Sequence, residues 1–225
     1  AYFRIILGEM DGEKILKRDL FGEVALDFAD GSLLVTRDAG ASRWWTRGIA
    51  RYLLRREARA LAALDGIDGF PALVSRDRDV LVRTYLHGEP LYVARPRDSA
   101  WFKAAASLLR RMHRAGVTHN DLAKEPNLLV RDDGSPGIID FQLAACSHSR
   151  SKLFRIAAYE DIRHLLKHKR TYRPDLLTRR EHSILANPSP ASRFWMGSVK
   201  PIYLFITRRI FGWADREGAA DRKHH

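Results

Sequence analysis

Three features of the sequence predict an α+β fold with one core or two small lobes. Residues 13–37 hold short runs that alternate apolar and polar side chains around turn formers, which predicts an antiparallel sheet. Residues 48–64 (GIARYLLRREARALAAL) carry an apolar period of 3.6, which predicts one amphipathic helix beside that sheet. Beyond residue 86 helical periods dominate, broken by one short hairpin between Asn127 and Asp140. The expected organisation is a small N-terminal lobe over residues 1–86, made of an antiparallel sheet plus one helix. A mainly helical C-terminal lobe over 87–225 carries the hairpin.

The strands are expected at 13–18, 24–28 and 33–37, with Asp30-Gly31 as the second turn and Asp19-Leu20-Phe21-Gly22-Glu23 as the first. A loop over 40–47 contains Trp44 and Trp45. In the helix, Tyr52, Leu53, Ala60, Leu61 and Leu64 form the apolar stripe, and Glu57 falls in phase with it. A carboxylate on an inward face needs a cationic partner. Strand alternation puts Val35 and Arg37 on one face, and an Arg37–Glu57 pair is expected. Lys14 and Lys17 on the first strand are alternative cations. Residues 65–71 (DGIDGFP) break the helix, two strands follow at 72–75 and 79–86, and the texture changes at 86–91 (LHGEPL). Asp98 or Ser99 caps a helix that ends at Gly116 and buries Trp101, Ala105, Leu108, Leu109 and Met112. His113, at its edge, reads as structural.

The stretch with the densest chemistry is 118–142, THNDLAKEPNLLVRDDGSPGIIDFQ. Two apolar runs, 128–130 and 138–139, flank the turn formers of 131–137, which predicts a hairpin. With the turn centred near Gly134, Asn127 and Asp140 end at the same open end. An amide and a carboxylate so placed suit Mg²⁺, which takes one or two carboxylates and completes its oxygen shell with phosphates. Asp121, just upstream, is a candidate base or orienting group for a hydroxyl.

His-x-Asp-Leu…Asn followed by Ile-Asp-Phe resembles the catalytic and metal-binding segments of the protein-kinase-like superfamily. The wording HNDLAKEPN and IIDFQLA is similar to its bacterial lipopolysaccharide core (Kdo/heptose) kinases and RIO-like kinases. The resemblance implies Asp121 as the catalytic Asp, His119 as a brace for its loop, and Lys124 as a third catalytic candidate. It implies Asn127 and Asp140 as metal ligands. Arg37, Glu57, Gly22, Val35 and Leu86 would hold the nucleotide, with Leu86 in the hinge. Three departures from protein kinases stand out. The loop from Asp121 to Asn127 is one residue longer, Gln142 follows Asp-Phe where a glycine is usual, and Arg37 replaces the strand lysine.

After Asp140 no Ala-Pro-Glu anchor follows. A helix is expected to open at Glu160-Asp161, with Asp161 as either the brace of the catalytic loop or a carboxylate at a helix N-terminus. The implied activity is transfer of the γ-phosphoryl of ATP, with Mg²⁺ (Mn²⁺ as a substitute), to a hydroxyl. The expected acceptor is a sugar of the lipopolysaccharide core or another envelope glycan. The rivals are a RIO-like serine/threonine protein kinase or ATPase, and a pseudokinase that only binds a partner.

The chain carries a net charge of +12 and a pI of about 10.2. That favours anionic partners (nucleotide, nucleic acid or an anionic membrane surface) without choosing among them; the implied kinase activity makes ATP the expected partner and nucleic acid a lesser one. The basic run over 163–180 reads as a solvated or anion-binding face. The tail over 193–213, mixing aromatics with cations, reads as a packed helix or a surface-lying one. No apolar stretch reaches the ~18–20 residues needed to span a bilayer, and the run at 1–7 is too short for a signal peptide. The expected place of action is cytoplasmic, with peripheral contact at the inner membrane face. A single cysteine, Cys146, excludes a disulfide framework and reads as a small buried residue.

Overall fold

The computed structural model describes residues 14–29 and 31–188. Asp30 and the tail read above lie outside that range. The α+β class holds: an antiparallel sheet lies N-terminal and a helical region C-terminal. Cα packing separates the chain into two compact units. The first runs up to His87 and also takes in Ile138–Cys146; the second is Gly88–Gly137 and the residues from Ser147 onward.

The first unit is a five-stranded sheet in the order β1-β2-β3-β5-β4. Its strands are β1 (Lys14–Asp19), β2 (Gly22–Ala29), β3 (Ser32–Asp38), β4 (Leu73–Arg76) and β5 (Val80–Thr84), and every neighbouring pair is antiparallel. Leu26, Leu33 and Val35 form a buried cluster, covered by Val24 and Tyr85. Gly22 closes the β1–β2 turn at φ 124°, and a Cβ there would stand 2.0 Å from the Asp38 carbonyl oxygen. Close backbone approach therefore requires this glycine, whatever else the turn does.

Helix α1 (Arg47–Ala63) buries Ala50, Leu54, Glu57, Ala58, Ala60 and Leu61. This corrects the expected stripe: Tyr52 is 57% exposed, with the Arg56 guanidinium 5.6 Å from its ring centroid. The alanines let the helix backbone approach its neighbours closely, which turns the larger Tyr52 outward. Residues 138–146 are tied to this unit. Ile138 N–H donates to the Gly69 carbonyl at 2.9 Å, Phe141 packs edge-on to Phe70, and Arg56 donates to the carbonyls of Leu143 and Ala144 at 2.7 and 2.9 Å. Cys146 is exposed, not buried.

In the second unit, β6 (Glu89–Pro90), β7 (Leu128–Val130) and β8 (Pro136–Ile138) form a small sheet in that order. The turn between β7 and β8 is closed by Gly134 N–H to the Arg131 carbonyl at 2.8 Å and Arg131 N–H to the Ser135 carbonyl at 2.9 Å. The helices are α2 (Leu91–Ala94), α3 (Ser99–Arg114), α4 (Lys152–Tyr172) and α5 (Arg179–Ala186). Asp98 caps α3, accepting from Ala100 N–H at 2.8 Å, an interaction of about 1 kcal/mol. The α3 face buries all five residues expected of it, together with Phe102. α4 begins well before Glu160, because the Ser151 hydroxyl accepts from Phe154 N–H and starts the helix there. Asp161 is therefore a mid-helix residue, and the helix N-terminal reading of it is overturned.

Candidate functional site

The expected site residues fall into two groups, one in each unit. In the second unit the loop over 119–127 is held from beneath by α4. Asp161 is fully buried. Its Oδ2 accepts His119 N–H at 2.8 Å and its Oδ1 accepts Asn120 N–H at 2.9 Å. His113 Nε2 stands 3.1 Å from Oδ2. Asn120 has φ 65°, a left-handed conformation that asparagine tolerates, and the Asp161 contact holds it there. His119, buried, accepts Asp121 N–H on Nδ1 at 3.2 Å, so its ring proton sits on Nε2.

That bond aims the start of the loop. Asp121 Oδ2 then receives Lys124 Nζ at 2.7 Å and Asn127 Nδ2 at 3.3 Å, and Asn127 Nδ2 also donates to the Asp121 carbonyl at 3.0 Å. The structure therefore brings His119, Asp121, Lys124 and Asn127 together. With its amide nitrogen committed, Asn127 keeps its side-chain oxygen for an incoming ligand.

Further along α4, His168 Nε2 meets the Leu122 carbonyl at 2.7 Å. Tyr172 O–H donates to Glu125 Oε2 at 2.5 Å. Glu125, in the extra length of the loop, is itself buried. His168 and Tyr172 were not singled out from the sequence. Their only signal was a position in phase with Asp161 and Leu165 on the same helix. Three cations of the basic run also pair with acids: Arg163 with Glu160, Lys169 with Glu181, and Arg173 with Asp175.

In the first unit, Arg37 on β3 and Glu57 on α1 form the expected pair, with Arg37 Nε 3.4 Å from Glu57 Oε2. The pair has two further members. Arg83 Nε on β5 lies 3.3 Å from Glu57 Oε1, and an Arg37 terminal nitrogen lies 3.6 Å from Asp140 Oδ1. The sheet register explains the meeting: Val35 faces Arg83 and Arg37 faces Leu81, so both arginines project from one face toward α1. Burial pulls the Arg83 guanidinium below its ordinary value, and Glu57 opposes that shift. Glu57 is fully buried, so it needs this positive charge around it.

Asp140 has φ 66°, strained backbone for a non-glycine residue. Its Oδ1, both Glu57 oxygens and Arg37 Nε are buried without a hydrogen-bond partner among the described residues. Of the other expected nucleotide residues, Gly22 lies in the β1–β2 turn, Val35 in the buried cluster, and Leu86 is half-buried after β5. Lys17 pairs with Asp19 at 2.7 Å and Lys14 is exposed.

Taken singly, Asp140 in the first unit offers a carboxylate oxygen and Asn127 in the second a side-chain amide oxygen, each an oxygen ligand of the kind Mg²⁺ takes.

The family model APH, described as a phosphotransferase enzyme family, matches residues 4–150. No curated protein matches the chain.

Proposed function

We propose that this chain, which belongs to the phosphotransferase enzyme family, is a kinase that moves the γ-phosphoryl group of ATP to an alcohol. The observation that carries the reading is the loop over 119–127, in which His119, Lys124 and Asn127 all bond to Asp121. Asp121 orients the acceptor hydroxyl and takes its proton as the acceptor oxygen bonds to the γ-phosphorus. The bond to the β–γ bridging oxygen breaks, and ADP leaves. Asn127 and Asp140 are the residues to hold Mg²⁺, or Mn²⁺ in its place. The cation, when bound, would neutralise charge on the phosphate oxygens. Arg37 is the phosphate-facing cation, and Lys124 offers a second one beside Asp121. Catalysis of this kind consists of positioning and electrostatics.

For the acceptor we favour a sugar hydroxyl of the lipopolysaccharide core or a similar envelope glycan. Only residues 141–151 separate Asp140 from α4, which leaves no long segment to seat a peptide. Peripheral contact with an anionic membrane fits the same acceptor. Trp44 is 83% exposed and Trp45 and Ile49 are also exposed, next to Arg43, in the manner of interfacial anchors. No described helix is long and apolar enough to cross a membrane.

The test follows γ-labelled phosphate from Mg·ATP into dephosphorylated core glycolipid, free or in anionic vesicles, and into a generic protein. Label should enter the glycolipid, and faster in vesicles. Asp140→Asn should lower transfer by about 100-fold or more with an unchanged melting temperature. Label in protein alone would favour the RIO-like reading. No transfer to any acceptor and no Mg·ATP binding would leave a binding module.

A further inference from the structure

Four charges form a row in the first unit: Arg83, Glu57, Arg37 and Asp140. Their side-chain exposures are 9%, 0%, 15% and 32%. Two are positive and two negative, so the row is neutral. Its order matters more than its sum. A fully buried carboxylate demands a whole positive charge close by. With Arg37 alone beside it, Glu57 would take that charge, and nothing cationic would remain for Asp140 or for a phosphate. The geometry avoids this. Glu57 divides its two oxygens, giving Oε1 to Arg83 and Oε2 to Arg37, and the far end of Arg37 turns to Asp140.

We infer that Arg83 is a positioning residue for phosphate binding: it neutralises Glu57, so that the charge of Arg37 stays available at Asp140 and, with nucleotide bound, at the phosphates. The inference rests on the phosphotransfer reading above. It also explains why an arginine can stand at position 37. A guanidinium has separate nitrogens for Glu57 and for Asp140, which a lysine ammonium at the end of one flexible stem does not. Arg83 Nη1 additionally reaches the Thr84 carbonyl at 3.4 Å, which steadies the guanidinium from its own strand.

The consequence is a specific pattern of failure. Without Arg83, Glu57 captures Arg37 with both oxygens, and affinity for phosphate falls while affinity for the nucleoside does not. Removing the charge of Glu57 as well sets Arg37 free again. Calorimetric titration of Mg·ATP and of adenosine into wild type, Arg83→Met and Arg83→Met/Glu57→Gln reads this directly. Arg83→Met should bind Mg·ATP about tenfold more weakly and adenosine as before. The double variant should recover most of that loss, the coupling expected of groups in contact.

A scaffold role alone would weaken both ligands together and give no recovery, and that result overturns the inference. Should Arg83→Met fail to fold, the double variant decides alone, since it buries no unpaired carboxylate. A retained preference for ATP over adenosine supports the inference, and a lost one ends it. A wild-type protein that binds adenosine as tightly as Mg·ATP would remove the phosphotransfer reading and this inference together. A wild-type preference that Arg83→Met keeps would remove this inference alone.

Discussion

The loop over 119–127 and the charge row of the first unit are both built from ionisable side chains, and they are finished to different degrees. In the loop, Asp161 accepts at 2.8 and 2.9 Å, Lys124 meets Asp121 at 2.7 Å, and His168 meets a carbonyl at 2.7 Å. These are full hydrogen bonds. In the row, the ion contacts run from 3.3 to 3.6 Å, and Glu57, Arg37 Nε and Asp140 Oδ1 have no hydrogen-bond partner among the described residues. The first region makes its braces without a ligand, and leaves only the Asn127 side-chain oxygen for one. The second holds charges in order but leaves their strongest bonding directions unused, as a site does whose last partners arrive with the substrate. Stability should therefore depend on the loop's braces and ligand affinity on the row.

The harshest test of that contrast is Asp161→Ala. It strips two backbone N–H groups and His113 of their acceptor in a fully buried place. Breaking a buried charged contact of this kind costs about 3–5 kcal/mol. Denaturant unfolding should show that loss, and transfer should fall with it because Asn120 and Asp121 lose their aim. A variant within about 1 kcal/mol of wild type would mean the loop is held by packing and that the contrast is misplaced.

What could be read from the sequence divides along the same line. Short-range patterns carried far: the hairpin came from turn formers between apolar runs, the α3 cap from Asp98, and the α1–β3 ion pair from the phase of Glu57. The failures are residues whose partner lies on another element. Arg83 shares parity with Leu81 on β5, so it had to face inward. Only the register of β5 on β3 says that Glu57 waits there, and register between strands far apart in sequence leaves no local trace. His168 and Tyr172 sat inside a run dominated by cations, where charge masked their role as braces. Tyr52 was misplaced because it was read into the stripe as a large aromatic, although two residues from both Ala50 and Leu54 it falls on the opposite side of the helix.

A smaller effect is expected at Tyr172. Its hydroxyl donates to the buried Glu125, so Tyr172→Phe removes that hydrogen bond. A loss of about 1–3 kcal/mol follows from taking a hydrogen bond away from a buried carboxylate. Nucleotide affinity should change little, because the charge row is untouched and Asn127 keeps its own bonds to Asp121. Chemical denaturation and nucleotide titration on the same sample measure both. A fall in affinity without a fall in stability would reverse the assignment of the two regions.

The mildest test uses pH and the helix that braces the loop. His164 lies on α4 between Asp161 and His168. Burial, then the nearby Lys167, pulls its pKa down to about 4, while Glu160 and Asp161 oppose the shift and His168 adds to it. Its Nδ1 is buried without a partner. The unfolded chain binds this proton at about pH 6.5, before the folded protein does. Stability is therefore fully present above pH 6.5 and declines as pH falls toward 4, where the loss levels off. The imidazole is not wholly enclosed, so the loss is about 1–3 kcal/mol at most. Unfolding measured from pH 7.5 to pH 4.5 should show a slope that His164→Leu flattens in the window between 6.5 and 4. At pH 7.5 the variant should differ little from wild type, since the ring is neutral there in both folded and unfolded chains. If His164→Leu leaves the slope unchanged, the acid sensitivity does not come from His164, and α4 is not where the brace gives way.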